Sequence, residues 1–141
     1  MDSRQFLDTN VLIYATMDQG ARSAVARELL SRRPIISVQV LNEFTKVAVR
    51  KLRRPWAEVE QALGFIRSLC AAISPIALGT HEAAVIIAKQ TGYRFYDALI
   101  VASALEAGCS ELLTEDMQNG RTIEDRLTIR NPFATAPPRE P

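Results

Sequence analysis

The stretch Phe6-Leu7-Asp8-Thr9-Asn10-Val11-Leu12 decides which fold this chain is expected to adopt. A short apolar run ends in an acid, and the two polar residues that follow are types that cap helices as readily as they bind ligands. The pattern therefore predicts a buried strand, a polar turn and a helix. Open α/β sheets bind their ligands where such strands end, so Asp8 is a candidate site residue.

Short apolar runs and helical patterns alternate along the rest of the chain. Further strands are predicted at residues 35–36, 71–73, 112–113 and 127–129. Helices are predicted over 21–31, 38–48, 55–69, 80–91 and 98–105. Ser37 is the predicted cap of the second helix, Pro55 the first residue of the third, and Gly92 the cap that ends the fourth. This alternation predicts a three-layer α/β/α sandwich with a short, mostly parallel central sheet of four to five strands.

Length and composition predict one folded domain. The chain has 141 residues, of which 48% are hydrophobic and 23% are charged, and this balance is typical of globular proteins. We expect the domain to span residues 1–133, followed by a mobile Pro/Ala-rich tail at 134–141. No apolar run is long enough to cross a membrane and no secretory leader is recognisable, so a cytoplasmic location is expected. Cys70 and Cys109 lie in apolar settings without a C-x-x-C pair, which favours buried, reduced thiols over zinc or disulfide sites.

Four acids occupy positions that a parallel sheet would bring together. Asp8 and Asp116 each follow a predicted strand, Asp97 begins the most apolar helix, and Glu43 lies at the edge of the buried stripe of the helix after the second strand. Like charges placed close together raise one another's pKa and destabilise the fold, and a divalent cation removes that conflict. Oxygen ligands without a His/Cys set favour Mg²⁺, with Mn²⁺ as an alternative.

Three hydroxyl or amide side chains stand next to these acids. Thr114 precedes Asp116 by two residues, and its hydroxyl could orient a bound water or support that carboxylate. Thr9 and Asn10 could support Asp8 in the same way. Each also has a plain structural explanation, since Thr114 favours a strand and the other two cap helices.

These motifs resemble the PIN-domain ribonucleases, and among them the VapC-like toxins of bacterial toxin–antitoxin pairs. The similarity covers nearly the whole chain, through the segments 6–12, 40–44, 96–104, 113–117 and 131–133. It implies that the matching acids Asp8, Glu43, Asp97 and Asp116 form a catalytic, Mg²⁺-binding quartet. It also implies a homodimer and a cognate VapB-like antitoxin whose carboxy-terminal segment covers the site.

The residues and the resemblance together predict a Mg²⁺-dependent endoribonuclease that cleaves RNA through metal-activated water. Tyr93, Arg94 and Tyr96 are candidate substrate contacts because they lie close to Asp97, but core packing is favoured for Tyr96 and plain surface exposure for Arg94. One alternative is a non-catalytic module whose acidic pocket docks a basic partner segment. A second is a phosphatase with Asp8 as nucleophile, which is weakened because Asn10 stands where such enzymes usually place another Asp.

Overall fold

Short strands connected by helices form the fold, as the alternation in the sequence predicts. The computed structural model describes residues 4–18 and 20–134, so the expected mobile tail lies outside the described residues except for its first position. The strands are β1 Gln5–Leu7, β2 Ile35–Ser37, β3 Ala72–Ser74, β4 Glu111–Leu113, β5 Thr122–Ile123 and β6 Leu127–Arg130. The helices are α1 Thr9–Met17, α2 Ala21–Ser31, α3 Val38–Lys46, α4 Trp56–Leu69, α5 Leu78–Thr91 and α6 Phe95–Glu106.

The strands make one sheet in the order β3-β2-β1-β4-β6-β5. All neighbouring pairs are parallel except β5 and β6, which form an antiparallel hairpin. The predicted three-layer, mostly parallel architecture is confirmed. The predicted strand count is too low, because the described part of the chain has six strands and the two-residue β5 is too short to show a period in the sequence.

The order of the sheet creates a crevice beside its first strand. The chain moves from β1 outward to β2 and β3, and then returns to add β4 on the other side of β1. The strand order reverses at this point, and the connections leave the ends of β1 and β4 in opposite directions. Ligand sites of open parallel sheets lie in such crevices.

The core fills both faces of the central strands and surrounds α6. Phe6, Ile36, Leu112 and Ile129 are fully buried in the strands, as expected when helices cover both faces of a parallel sheet. All residues of α6 from Ala98 to Leu105 are buried as well, which agrees with its apolar sequence. The site residue at the start of α6 is therefore attached to one of the most constrained helices of the fold.

Local signals set most helix ends. The Ser37 side chain caps α3 by accepting from the Val40 amide at 3.3 Å, and Gly92 ends α5 in the left-handed conformation with φ 79°, which glycine adopts without strain. Pro55 is the residue before α4 and not its first helical residue. A π-helical turn, Val47–Lys51, extends α3 without a signal in the sequence.

Two further expectations concern buried thiols and membranes. Cys70 and Cys109 are both free and buried, as predicted, and burial raises the pKa of each thiol to about 11, so both stay protonated at neutral pH. Within residues 4–18 and 20–134, none of the helices combines the length and the apolar character that a bilayer crossing needs.

Candidate active site

Asp8 and Asp116 lie at the ends of the two strands that border the crevice. Asp8 directly follows β1, and Asp116 lies in the turn after β4. The two strands pair in parallel with Leu7 opposite Leu113, and the amide of Asp8 donates to the Leu113 carbonyl at 3.0 Å. The backbone thus places both acids at the same edge of the sheet.

Asp8 is the buried centre of the site, with 5% of its surface exposed. Its Oδ1 accepts from the Thr9 amide at 2.7 Å and its Oδ2 accepts from the Thr114 hydroxyl at 2.7 Å. Burial raises the pKa of Asp8 from 3.8 to about 6, and the charges of Glu43 and Asp116 act in the same direction. The two hydrogen bonds favour the ionised form but do not offset the loss of hydration.

Glu43 reaches the site from α3 and is half-buried. The Thr9 hydroxyl donates to its Oε1 at 3.0 Å, and the Gln39 amide donates to its Oε2 at 3.2 Å. Thr9 therefore connects Asp8, through its backbone, with Glu43, through its side chain. Gln39 lies one helical turn before Glu43, so the carboxylate is oriented from its own helix as well.

Asp97 and Asp116 complete the group on its more exposed side. Asp97 lies in the first turn of α6, where the helix dipole favours a negative charge. Loss of hydration raises the pKa of Asp97, and the charges of Glu43 and Asp116 raise it further. The pKa of Asp116 is also raised, first by loss of hydration and then by Glu115. Arg94 opposes both shifts.

The structure thus brings together the four acids predicted to converge, and we call them the acidic cluster (Asp8, Glu43, Asp97 and Asp116). Each comes from a different part of the chain. The charges of Glu43 and Asp116 raise the pKa of both Asp8 and Asp97. Repulsion within the cluster is the physical reason why a cation would stabilise it. The catalytic and metal-binding roles of these residues stay predictions at this point.

The supporting residues are arranged differently from the prediction. Asn10 does not contact Asp8: its amide donates to Asp116 Oδ2 at 2.6 Å. The Thr9 side chain binds Glu43, and only its backbone binds Asp8. Thr114 serves two acids, since its hydroxyl donates to Asp8 and accepts from the Asp116 amide at 3.1 Å. The corrections share one cause, which is that each side chain binds an acid of a different element: Asn10 binds Asp116 after β4, Thr9 binds Glu43 on α3, and Thr114 binds Asp8 after β1.

The residues before α6 also require a correction. Tyr96 was expected in the core, but it is 60% exposed, because the buried part of α6 begins only at Ala98. Arg94 is exposed at the start of the helix, next to the acidic cluster. Tyr93 is half-buried, with the Arg121 guanidinium 5.2 Å from its ring centroid. Contact of Tyr93 and Arg94 with substrate remains a prediction.

Three residues near the site carry no recognisable signal in the sequence. Tyr14 and Arg22 both donate to the carboxylate of Glu115, the residue directly before Asp116. In the sequence, nothing marks Glu115 as a site residue, because the neighbouring Asp116 is the candidate metal ligand. Only the packing of α1 and α2 against the turn after β4 shows that it has partners of its own.

The donor set of the acidic cluster fits a hard divalent cation. In the described part of the chain, no three Asp, Glu, His or Cys side chains already form a group that would hold a metal directly. Mg²⁺ keeps several of its waters and binds through few carboxylates, so it does not require three side chains in direct contact with it. Loss of hydration and the neighbouring acids raise the pKa of Asp8, and a bound cation would oppose that effect. The residues that would hold it are the four acids of the acidic cluster.

Comparison with known families agrees with this architecture. The sequence model of the PIN domain family matches residues 6–122. The chain belongs to the PIN domain family. The match runs from β1 into β5 and thus contains all four acids of the cluster. No curated protein sequence matches the chain.

Solved structures share the fold of this PIN domain. A toxin–antitoxin complex from Klebsiella pneumoniae matches with a TM-score of 0.69 and 20% identity, covering 91% of this chain and 97% of the matched chain. The sarcin–ricin-loop-cleaving toxin VapC20 of Mycobacterium tuberculosis matches with a TM-score of 0.61 and 20% identity over 77% and 86% of the two chains. VapBC2 of Rickettsia felis, bound to promoter DNA, matches with a TM-score of 0.64 and 21% identity over 90% and 98%. The resemblance predicted from the motifs is confirmed in family and fold.

Proposed function

We propose that this PIN domain is a Mg²⁺-dependent endoribonuclease and the toxin of a toxin–antitoxin pair. The observation that carries the proposal is the acidic cluster itself, in which a buried Asp8 with a pKa raised to about 6 faces Glu43 and Asp116. A buried acid beside two other acids destabilises the fold unless a cation is bound. Such an arrangement is therefore typical of a functional site and not of a structural one.

A bound divalent cation would supply an activated water and a positive charge beside the scissile phosphate. The protein's own contribution is to orient the carboxylates. Thr114 and Thr9 hold Asp8, Thr9 and Gln39 hold Glu43, and Asn10 holds Asp116. Because several of these oxygens accept from fixed protein donors, the orientation of each of these carboxylates is restricted before a cation binds.

RNA is the proposed substrate because the mycobacterial structural relative cleaves the sarcin–ricin loop and the rim of this site suits a nucleic acid. Arg94 is exposed beside two acids of the cluster, and the neighbouring Tyr96 offers an exposed ring. Guanidinium groups bind the phosphate backbone, and aromatic rings stack on unpaired bases. The proposed substrate contacts are Arg94, Tyr93 and Tyr96, of which Tyr96 is more accessible than Tyr93.

The proposed protein partners are a VapB-like antitoxin and a second copy of this chain. Several structural relatives are toxin–antitoxin assemblies, which supports the antitoxin. An Arg or Lys of such a partner could neutralise the acidic cluster in place of a cation. The outward face of α5 supports the homodimer, since its large apolar side chains Leu78, Val85 and Ile86 are exposed.

The test is cleavage of a structured RNA with and without Mg²⁺ by the wild type, Asp8→Asn and Glu111→Gln. We expect Asp8→Asn to lower the single-turnover rate by at least about 100-fold, since it removes the central charge of the site. Glu111→Gln is the matched control, because Glu111 is a half-buried acid at the other end of β4; its rate should stay within about twofold of the wild type.

Equal rates for Asp8→Asn and the wild type would exclude this mechanism. Tight binding of a basic peptide together with no Mg²⁺-dependent turnover would favour the non-catalytic module instead. A phosphorylated Asp8 trapped with a phosphate donor would favour the phosphatase. In this structure Asn10 donates to Asp116, and no observation favours the phosphatase.

A further inference from the structure

Glu115 and Asp116 are adjacent acids with opposite surroundings. The carboxylate of Glu115 accepts from the Tyr14 hydroxyl through Oε1 and from Arg22 Nε at 3.0 Å through Oε2. Both of its oxygens therefore have protein donors, and its side chain is only 16% exposed. Among the described residues, Asn10 is the one side-chain donor to the Asp116 carboxylate. Both oxygens of Glu115 are thus hydrogen-bonded within the protein, whereas Asp116 is exposed.

The donors of Glu115 are themselves held by packing. The Tyr14 and Phe133 rings meet edge to face with their centroids 5.1 Å apart. The Arg22 guanidinium lies 5.7 Å from the Tyr14 centroid and 5.5 Å from the Phe133 centroid, within the range of cation–π attraction. We call Tyr14, Arg22, Glu115 and Phe133 the brace. It joins α1, α2, the turn after β4 and the segment after β6.

The brace and the acidic cluster are attached to the same helix. Asn10 and Tyr14 lie four residues apart on α1, and therefore on one face of it. Asn10 binds Asp116, and Tyr14 binds the preceding residue, Glu115. Two consecutive residues of the turn are thus pinned to two successive turns of one helix. A rotation of the turn that redirected Asp116 would have to break both attachments.

We propose that Glu115 is a positioning residue that, through Tyr14 and Arg22, holds the turn after β4 so that Asp116 faces the other acids before any cation binds. This rests on the proposed function, since it assumes that the cluster binds a divalent cation. Without the brace, the turn has to be ordered when the cation binds, and the entropy lost at that step weakens binding. Residues that orient a metal ligand typically change metal affinity by about 10-fold to 100-fold when removed.

The test measures Mn²⁺ affinity by electron paramagnetic resonance without RNA, in the wild type, Glu115→Gln and Tyr14→Phe. Both variants keep the size of the side chain, and Tyr14→Phe removes only a hydroxyl that the proposal places outside the site. We expect each to raise the dissociation constant for Mn²⁺ about 10-fold. Raising Mg²⁺ should restore cleavage in both variants but not in Asp116→Asn, because Asp116 and not Glu115 is the proposed ligand.

Glu111→Gln is the matched control for this experiment as well. Glu111 accepts from Arg130 Nε at 2.7 Å, so its substitution breaks an arginine–carboxylate contact of the same kind at the opposite end of β4. Its Mn²⁺ affinity should stay within about twofold of the wild type. Equal affinity in Tyr14→Phe and the wild type, even with a lowered melting temperature, would show that the brace is only structural and would overturn the proposal.

The outcomes also separate the brace from the proposed function. A wild type that binds no Mn²⁺ and cleaves no RNA would overturn the proposed function, and the brace with it. A wild type that binds and cleaves, beside a Tyr14→Phe variant with unchanged affinity, would overturn only the brace. A loss in Glu115→Gln that excess Mg²⁺ does not restore, with a normal Tyr14→Phe, would instead make Glu115 a ligand.

Discussion

The acidic edge of the sheet and the outward face of α5 depart from the usual distribution of side chains in opposite ways. At the edge, Asp8 is an acid with only 5% of its surface exposed. On α5, Leu78 and Ile86 are apolar residues that are 73% and 53% exposed. Both arrangements reduce the stability of the isolated chain. The comparison teaches that neither region finds its counterpart within the described residues, and we propose a cation for the first and an apolar surface of a second copy for the other.

The outward face of α5 follows from its helical spacing. Leu78 and Val85 are seven residues apart and lie on one side of the helix, whereas Ala84 and Ile87 on the other side are buried. The inward side packs against α6, so the outward side has no covering element within residues 4–18 and 20–134. If the proposals are right, a second copy covers the outward face of α5 and a cation binds at the acidic edge.

The largest effect is expected for the apolar face. Leu78→Lys combined with Ile86→Lys should raise the dissociation constant of the homodimer by at least about 100-fold, because each buried aliphatic side chain contributes about 1.5–3 kcal/mol and a symmetric interface counts each change twice. Sedimentation equilibrium measures it. Trp56→Lys on α4 is the control, since Trp56 is also 60% exposed. A wild type that stays monomeric at all concentrations would contradict the proposal that a second copy covers the apolar face of α5.

A second prediction concerns the pH dependence of stability at the acidic edge. The pKa of Asp8 is raised from 3.8 to about 6 in the folded chain, so the unfolded chain ionises first and the free energy of unfolding falls as the pH rises through this window. Asp8→Asn lacks this penalty. Without divalent cations it should be more stable than the wild type by about 1–3 kcal/mol at pH 7.5, and the gain should vanish near pH 4.

Urea unfolding at pH values from 4 to 8 measures this difference. Glu60→Gln, which changes an exposed acid on α4, is the control and should show no comparable gain. An Asp8→Asn variant that is less stable than the wild type at every pH would mean that the hydrogen bonds to Asp8 outweigh its loss of hydration. The view of this edge as an uncompensated site would then be wrong.

The smallest effect is expected for the cation itself. Mg²⁺ at ten times its dissociation constant should raise the free energy of unfolding of the wild type by about 1.4 kcal/mol. Because the cation competes with the proton on Asp8, the gain should be larger at pH 8 than at pH 5. Scanning calorimetry at constant ionic strength measures it. An equal gain in Asp8→Asn would place the bound cation away from the acidic cluster.

Much of the fold can be predicted from the sequence because its signals are local. Apolar runs predict five of the six strands in the described residues, and capping residues such as Ser37 and Gly92 mark helix ends. The errors lie where a local signal is short or ambiguous. The two-residue β5 has no period, and Tyr96 lies two residues before the buried part of α6, so its aromatic character does not correspond to burial.

The candidate site likewise has a part that local sequence signals predict and a part that they do not. The four acids can be selected from the sequence because their settings are local: Asp8 and Asp116 follow strands, Asp97 begins a helix, and Glu43 lies at the edge of a helix's buried stripe. Their partners cannot be selected in this way. Asn10 and Asp116 are separated by 106 residues, and they meet only because β4 pairs with β1.

The sequence by itself determined which residues are acidic, where five of the six described strands and most of the helices run, and that the strand ends would gather at one edge. Only the tertiary structure decided which side chain orients which acid, that Glu115 binds Tyr14 and Arg22 instead of joining the acidic cluster, and that one face of α5 stays uncovered. The physical reason is the separation along the chain over which each kind of interaction acts. Helix caps and apolar periods act over a few residues, whereas hydrogen bonds and charge repulsion depend on distances in space that the order of the strands creates.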